Sequence, residues 1–200
     1  LRLDRAALYD PVDFSLKARL PAPTTPSHLA FDDASQFVFV TLQDSNEIMA
    51  IDLATRKTAW VMPVAATPAG IVMAPDNKHL LVACMGEGVV EVIDWRAQKS
   101  VKKVATGTAA HNLQPKGDKR HFYVSNRSVD GSIVLFDTKT MSVVDRYEVP
   151  GGPDDLMGLD GLAPPRRLEL APYATMRAEF LATANGDPYN DGSVYNPGIG

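Results

Sequence analysis

The sequence has little of what disulfide-bonded or membrane-spanning proteins need. It contains one cysteine, Cys84, so no disulfide can form within the chain. Cys84 ends the strand-like run Leu-Leu-Val-Ala-Cys, which predicts a small buried hydrophobic residue rather than a reactive thiol. No apolar run reaches the ~18 residues that a transmembrane helix requires, so no membrane span is predicted.

Basic patches and catalytic signature motifs are missing as well. The formal net charge is −4, and the 20 Lys and Arg residues are scattered without a basic stripe, which argues against a nucleic-acid partner. The sequence has no Gly-x-Ser-x-Gly elbow, no Walker loop, no dinucleotide fingerprint and no Cys-x-x-Cys-His haem attachment. Function must therefore be sought in the architecture rather than in one motif.

The sequence does contain a repeat of 42 to 43 residues. An apolar run ends in aspartate four times, at spacings of 42, 42 and 43 residues: Asp10, Asp52, Asp94 and Asp137. Sixteen residues after each aspartate comes Pro26, Pro68, Ala110 or Pro153, followed three residues later by Leu29, Ile71, Leu113 or Leu156. A fixed period of this length with several short strands is typical of a β-propeller blade.

Each repeat predicts four short strands joined by tight turns. In the second repeat an extended segment begins at Pro68, residues 75–78 have the Pro-Asp-Asn chemistry of a turn, and the β-branched run 89–93 leads into Asp94. We therefore predict an all-β fold, a partial β-propeller of four-stranded antiparallel blades. It occupies residues 1–157, with a partial blade at 5–20 and blades at 26–64, 68–105 and 110–149, and residues 158–200 are a degenerate blade or an irregular tail.

Most polar residues of the repeat have a predicted structural role. The closing aspartates can accept a backbone N–H two residues on and set the turn into the outer strand, and four equivalent copies cannot all be catalytic acids. Asp32, Asp76 and Asp118 recur near the first hairpin and have the same interpretation. His79 and His121 share one repeat position, where we expect exposed strand residues.

Several of these segments resemble the YVTN-type β-propeller repeat. Phe-Val-Phe-Val-Thr at 37–41 and Phe-Tyr-Val-Ser-Asn at 122–126 are similar to its Tyr-Val-Thr-Asn core, and the Pro-Asp-Asn-Lys hairpin at 75–78 fits its pattern. The family is similar in fold to the propellers of YncE-like periplasmic proteins, haem d1 nitrite reductases and quinoprotein amine dehydrogenases. The resemblance implies a ring of about seven blades and a periplasmic or secreted bacterial protein.

The chain carries only about three full repeats, too few to close such a ring. We therefore expect it to be a fragment, with the remaining blades of the ring missing. An incomplete ring leaves blade faces uncovered and strand edges unpaired, so the isolated chain is expected to be marginally stable.

Candidate functional residues lie at one mouth of the expected channel, in the loops that lead into the inner strands and the loops between the second and third strands. The first loops supply His28, His111, Asn112, Asp154 and Asp155, and the second supply Asn126 and Arg127. Imidazoles and carboxylates there could bind a divalent metal or act as acid and base, or simply hydrate a polar channel and cap strand ends. No close ligand spacing such as His-x-x-x-His occurs, so no metal is predicted.

Two functions from different classes fit these residues. The first is a non-catalytic binding or scaffold module that holds a protein, a polymer or a small molecule at the channel mouth. The alternative is a redox or hydrolytic enzyme domain with a haem d1, quinone or metal centre at the same mouth, including a lactonase-like hydrolase; the cofactor is unknown. The second hypothesis predicts that His28, His111 and the Asp154–Asp155 pair converge on one point.

Overall fold

The computed structural model describes residues 5–149 and 152–153. These residues form fourteen β-strands. In chain order they are β1 (Arg5–Tyr9), β2 (Leu16–Pro21), β3 (Pro26–Phe31), β4 (Phe37–Leu42), β5 (Glu47–Asp52), β6 (Lys57–Pro63), β7 (Pro68–Met73), β8 (His79–Cys84), β9 (Val89–Asp94), β10 (Lys99–Ala105), β11 (Ala110–Pro115), β12 (His121–Asn126), β13 (Ser132–Asp137) and β14 (Ser142–Glu148). Over this part of the chain, no helix suited to crossing a bilayer is found.

The strands pair with their neighbours in sequence to form four antiparallel sheets. Strands β3–β6, β7–β10 and β11–β14 make three four-stranded sheets, here called blades 1, 2 and 3, and β1 with β2 makes a two-stranded half-blade. The predicted all-β fold, a partial propeller of four-stranded blades, is confirmed. Contacts divide the chain into Leu1–Asp160 and Gly161–Gly200, and the predicted tail at 158–200 lies outside the described residues.

Burial explains why the middle strands are apolar and the outer strands are not. All residues of β4 and β8 after the first are buried, because a blade is covered on both faces by its neighbours. In the outer strand β10, six of the seven residues are exposed. The sequence accordingly reads Phe-Val-Phe-Val-Thr-Leu in β4 and Lys-Ser-Val-Lys-Lys-Val-Ala in β10.

The blades adhere through hydrophobic layers between their faces. Blades 1 and 2 share a layer that includes Phe39 and Trp95, whose ring centroids are 5.1 Å apart, and Trp60, which lies 5.9 Å from Phe39. Blades 2 and 3 share a second layer around Phe122 and Phe136. Stacked aromatic and aliphatic side chains hold the inner strands β3, β7 and β11 side by side.

One end of the blades, here called the turn rim, contains the turns after the inner strands and the turns after the third strands. Each closing aspartate accepts a backbone N–H in its own turn, from Val12, Thr55, Ala97 or Lys139 at 2.8–3.0 Å. The predicted structural role is confirmed, although the donor is two residues on in the half-blade and blade 3 and three residues on in blades 1 and 2.

The same turns place residues other than glycine in the left-handed region. The residue four positions after each closing aspartate has a φ between 49° and 57°: Phe14, Arg56, Gln98 and Met141. Left-handed backbone is unfavourable for residues with a Cβ, and glycine is the residue that usually occupies such positions. None of these four positions is glycine, so glycine does not mark these turns in the sequence. The aspartate cap compensates for the missing glycine.

His79 and His121 are not the exposed residues that the sequence predicted. Their side chains are 16% and 20% exposed, and the Nδ1 atom of each lies 2.6–2.7 Å from the carboxylate of the aspartate three residues earlier, Asp76 or Asp118. Each aspartate also accepts the backbone N–H of its histidine, so the pair closes the first hairpin.

Candidate functional site at the channel mouth

The opposite end of the blades, here called the channel mouth, is where the inner strands begin. In each blade the first two strands lose register by one residue there, between Pro26 and Leu29, Pro68 and Ile71, and Ala110 and Leu113. A β-bulge of this kind bends the strand and re-aims its side chains. The bulged positions are 27–28, 69–70 and 111–112, so they carry the first set of candidate residues.

Hydroxyl groups of the second strand hold the bulges. Thr41 accepts the backbone N–H of His28 at 3.0 Å and donates to the carbonyl of Ala69 in blade 2 at 2.7 Å. In blade 3, Ser125 accepts the backbone N–H of Asn112 at 3.2 Å. Both hydroxyl residues are fully buried, so side chains anchored in the second strands fix the backbone at the mouth.

Three residues with left-handed backbone precede the inner strands. Thr25, Thr67 and Ala109 have φ values of 60°, 53° and 57°, and the carbonyl of each accepts an N–H from the loop after the second strand at 2.8–3.0 Å. Such a conformation is unusual for a β-branched residue and costs about 1–3 kcal/mol. The mouth therefore stores backbone strain at one repeat position in all three blades.

His28 and His111 meet at this mouth although they belong to blades 1 and 3. Their ring centroids are 5.7 Å apart and their ring planes are at 88°. Both residues are half-buried. The structure thus brings together two of the predicted site residues that are 83 positions apart in the sequence.

Gly70 of blade 2 makes this approach possible. A Cβ at Gly70 would lie 2.6 Å from the backbone oxygen of His111, closer than real Cβ atoms approach, and 3.1 Å from the Cα of Asn112, which is tighter than most Cβ contacts. Any larger residue would force blade 3 away from blade 2. Sequence reasoning passed over Gly70, and the signal was a glycine at the repeat position that His28 and Asn112 occupy.

The other predicted site residues are more structural. Asn112 accepts the N–H of its neighbour Leu113 at 2.8 Å. Asn126 is 1% exposed, and its amide donates to the carbonyl of Thr106 and the hydroxyl of Ser132, both at 3.0 Å. The amide nitrogen of Asn126 is therefore used inside the blade, and a ligand-binding role for this residue stays a prediction.

Arg127 is half-buried at the mouth and donates its backbone N–H to Ala109. Asp154 and Asp155 lie outside the described residues. The predicted convergence of histidines with this carboxylate pair is therefore seen for the histidines alone. Among the described residues, no three His, Cys, Asp or Glu side chains come together as a metal centre would require.

Glu91 is a buried charge that sequence reasoning missed. It is 2% exposed and accepts the N–H of Ala65 at 2.6 Å and the hydroxyl of Ser100. Its position in the third strand is taken by Met49 and Val134 in the other blades. A lone acidic residue in the run Val-Val-Glu-Val-Ile was the available signal. Its hydrogen bond to Ala65 ties blade 2 to the segment that connects it with blade 1, and its bond to Ser100 lies within blade 2.

The thiol of Cys84 lies deep in blade 2. Burial, with Glu91 and Glu87 nearby, raises the pKa of Cys84 to about 12. The side chain is fully buried, which confirms the prediction of a small hydrophobic residue. A thiol that stays protonated at neutral pH is a poor nucleophile.

A groove of about 580 Å³ opens at the turn rim, where the inner strands end. Its polar lining includes Asp33, Lys116, Lys119 and His121. Lys116 lies 3.5 Å from Asp118, and the carboxylate of Asp118 also binds His121. Lys116 and His121 are thus both engaged by Asp118, and the channel mouth, where two predicted site residues meet, is the stronger candidate for a binding site.

Comparisons with known proteins agree with this architecture. None of the curated proteins compared with this sequence matches it. Among solved structures, the chain is similar to one described as Kuenenia stuttgartiensis Hydrazine Synthase, with 19% identity and a TM-score of 0.69 over 74% of this chain. The chain spans 44% of that neighbour's length, and at this identity the likeness concerns the fold.

A family model gives the assignment. The model described as YNCE-like beta-propeller matches residues 2–161, which include all three blades and the half-blade. The aspartate-capped turns and the bulged inner strands recur throughout the matched region. The chain therefore belongs to the YncE-like β-propeller family.

Proposed function

We propose that this chain is a non-catalytic binding module that holds its ligand at the channel mouth. The observation that carries the proposal is the meeting of His28 and His111, 5.7 Å apart, on bulged strands of two different blades. Histidine is scarce in this chain, with four residues in all, and half of them converge on one point. Half-buried imidazoles donate and accept hydrogen bonds, which suits recognition of polar ligands.

The rigidity of the mouth supports binding over a mobile catalytic loop. Thr41 and Ser125 hold the bulges, and the left-handed residues before the inner strands fix the loops. A preorganised site loses little conformational entropy when it binds. The thiol of Cys84 is buried and protonated, so it does not supply a nucleophile. The fold by itself selects no activity, because one fold hosts many functions. This chain matches 1199 chains of solved structures.

The location that we propose is the bacterial periplasm or cell surface. The support is the resemblance to YncE-like propellers. Fractionation of the source bacterium with an antibody against the blades tests this. A protein found only in the cytosolic fraction would contradict it.

Binding is tested by NMR on the metal-free chain in EDTA, with the Cε1–H signals of the four histidines as reporters. Inorganic phosphate, acetate, tri-alanine and maltotriose are the probes, representing anions, peptides and polymers. We expect at least one probe to shift the signals of His28 and His111 while those of His79 and His121 stay in place. If none of the four shifts the mouth signals, or all four histidines move together, the proposal fails.

The alternative is an enzyme domain with a redox or hydrolytic centre at the same mouth. The convergence of His28 and His111 favours it in part, because such a centre needs side chains from different blades to meet. Electronic absorption spectra of protein purified from its source organism test the redox form of this alternative. A bound haem or quinone chromophore supports the redox enzyme, and a protein without such a chromophore contradicts it.

A further inference from the structure

The separation of His28 and His111 fits two ligands of one metal ion. Their ring centroids are 5.7 Å apart. With Zn–N bonds of about 2.1 Å and a ring nitrogen about 1.2 Å from its centroid, two imidazoles on one tetrahedral ion have centroids roughly 5.4 Å apart. The observed spacing therefore needs little change for both rings to reach one ion.

The orientation of the rings is also compatible with a shared ion. A metal bound to an imidazole nitrogen lies close to the ring plane. The two planes stand at 88°, an angle that two rings on one ion can adopt because each ring can turn about its own metal–nitrogen bond. Both histidines sit on bulged strands whose backbone is held by hydrogen bonds, and Gly70 leaves blade 3 free to approach.

We propose that His28 and His111 form a two-imidazole site for a late first-row transition-metal ion, Cu²⁺ or Zn²⁺. Imidazole is a favoured ligand of both ions, and Cu²⁺ binds a given nitrogen site most tightly among the divalent ions of the series. Two protein ligands leave the remaining positions open to water or to an outside ligand. The inference rests on the proposed function, because it names the ligand class of the same mouth, and it departs from the sequence prediction of no metal.

The other two histidines provide a matched control. His79 and His121 are in successive blades at the turn rim, and each has its Nδ1 atom within 2.7 Å of an aspartate carboxylate. Removing either one takes away an imidazole without touching the mouth. A metal that merely binds any accessible histidine would respond to all four substitutions.

The test uses the full 200-residue chain, with Cu²⁺ titrated and followed by electron paramagnetic resonance. We expect one ion per chain, with nitrogen hyperfine splitting from two imidazoles. His28→Ala and His111→Ala should each leave one nitrogen and lower the affinity at least about tenfold, since even an outer-shell partner of a metal is worth 10- to 100-fold. His79→Ala should bind as the parent does, and Zn²⁺ should compete with Cu²⁺ for the site.

Circular dichroism checks that each variant is folded. If an alanine variant does not fold, the corresponding glutamine variant, His28→Gln or His111→Gln, is used in its place. The proposal is overturned if Cu²⁺ shows fewer than two imidazole nitrogens in the parent chain. It is equally overturned if the mouth variants bind as the parent does, or if His79→Ala weakens binding as much as they do. Because the probe experiment above runs in EDTA, a mouth that binds phosphate or tri-alanine but no metal refutes only this inference.

Discussion

The turn rim and the channel mouth are built by the same strands, but their side chains repeat differently. At the turn rim each blade has the same closing aspartate, the same cap and the same left-handed residue four positions later. At the mouth the position of His28 is taken by Gly70 in blade 2 and Asn112 in blade 3. Repetition thus identifies the scaffold, and variation on a repeated backbone identifies the candidate site.

The difference extends to charge. Hydrogen bonds lower the pKa of each closing aspartate, including the buried Asp137, which binds Arg120. The two histidines of the mouth instead face each other. Capped carboxylates therefore characterise the turn rim, and the binding site that we propose lies at the other end of the blades.

Acid should destabilise the protein mainly through the turn rim, and this is the largest effect that we expect. The pKa values of the closing aspartates and of Asp76 and Asp118 are lowered, chiefly by hydrogen bonds that outweigh burial where burial opposes them. The unfolded chain then binds more protons than the folded chain, so stability is present above about pH 4 and is lost as the pH falls below it.

Thermal melts between pH 7 and pH 3 measure this loss. Asp118→Asn should flatten the dependence, because one titrating carboxylate is removed, while the mouth variant His28→Ala should leave its slope between pH 5 and pH 3 unchanged. A melting temperature that stays constant down to pH 3 would show that these caps contribute little.

Asp137→Ala should be the most damaging single change at the turn rim. The side chain is 3% exposed, accepts two hydrogen bonds from Arg120 and caps its turn through Lys139. Charged hydrogen bonds of this kind contribute about 1.5–3 kcal/mol, so we expect a loss of about 2–3 kcal/mol in the free energy of unfolding. Urea denaturation of this variant beside Asp145→Ala, an exposed carboxylate of the same blade, provides the comparison, and equal losses would contradict it.

Two left-handed positions should respond in opposite directions. Gly88 at the mouth has a φ of 65°, and a Cβ there would lie 2.6 Å from the backbone oxygen of Gly107, so Gly88→Ala should cost about 1–3 kcal/mol. Gln98 at the turn rim has a φ of 50° and is exposed, so Gln98→Gly should stabilise by about 0.5–1 kcal/mol. Differential scanning calorimetry measures both, and effects of the same sign would remove the distinction.

The smallest effect concerns Cys84, the buried last residue of β8. Its thiol is buried and its pKa is raised to about 12, so a disulfide reagent should react with it only when blade 2 opens. The reaction rate should rise together with the unfolded fraction in urea. Fast labelling of the native protein at pH 7 would show that the thiol is accessible.

Much of the fold could be predicted because each repeat is specified by apolar runs and turn residues that lie close together in the sequence. Strand boundaries follow from β-branched and aromatic runs between aspartate and proline turns, and the closing aspartates behave as predicted. The burial of His79 and His121 was missed, although an aspartate precedes each by three residues. Two copies of the same Asp-x-x-His pair were the signal, because one carboxylate can bind both the backbone and the ring of the histidine.

The site was harder to predict because its parts come from separate blades. His28 and His111 were recognised as candidates from their repeat positions, but their contact depends on Gly70 in the blade between them. The orientation of Asn126 could not be predicted because a polar residue at a strand end can face either the loop or the interior. Its hydrogen bonds to Thr106, in the segment before blade 3, and to Ser132, its partner across β12 and β13, decide that question.

The amino-acid sequence alone determined the blade, since strand, turn and cap depend on residues within a single repeat of 42 to 43 positions. Only the tertiary structure decided which side chains meet, because the distance between His28 and His111 depends on how three blades lean on one another. Local hydrogen bonds and apolar periodicity act over a few residues and leave a clear trace in the sequence. The packing angle between blades is set by many small contacts together, so no single sequence position reveals it.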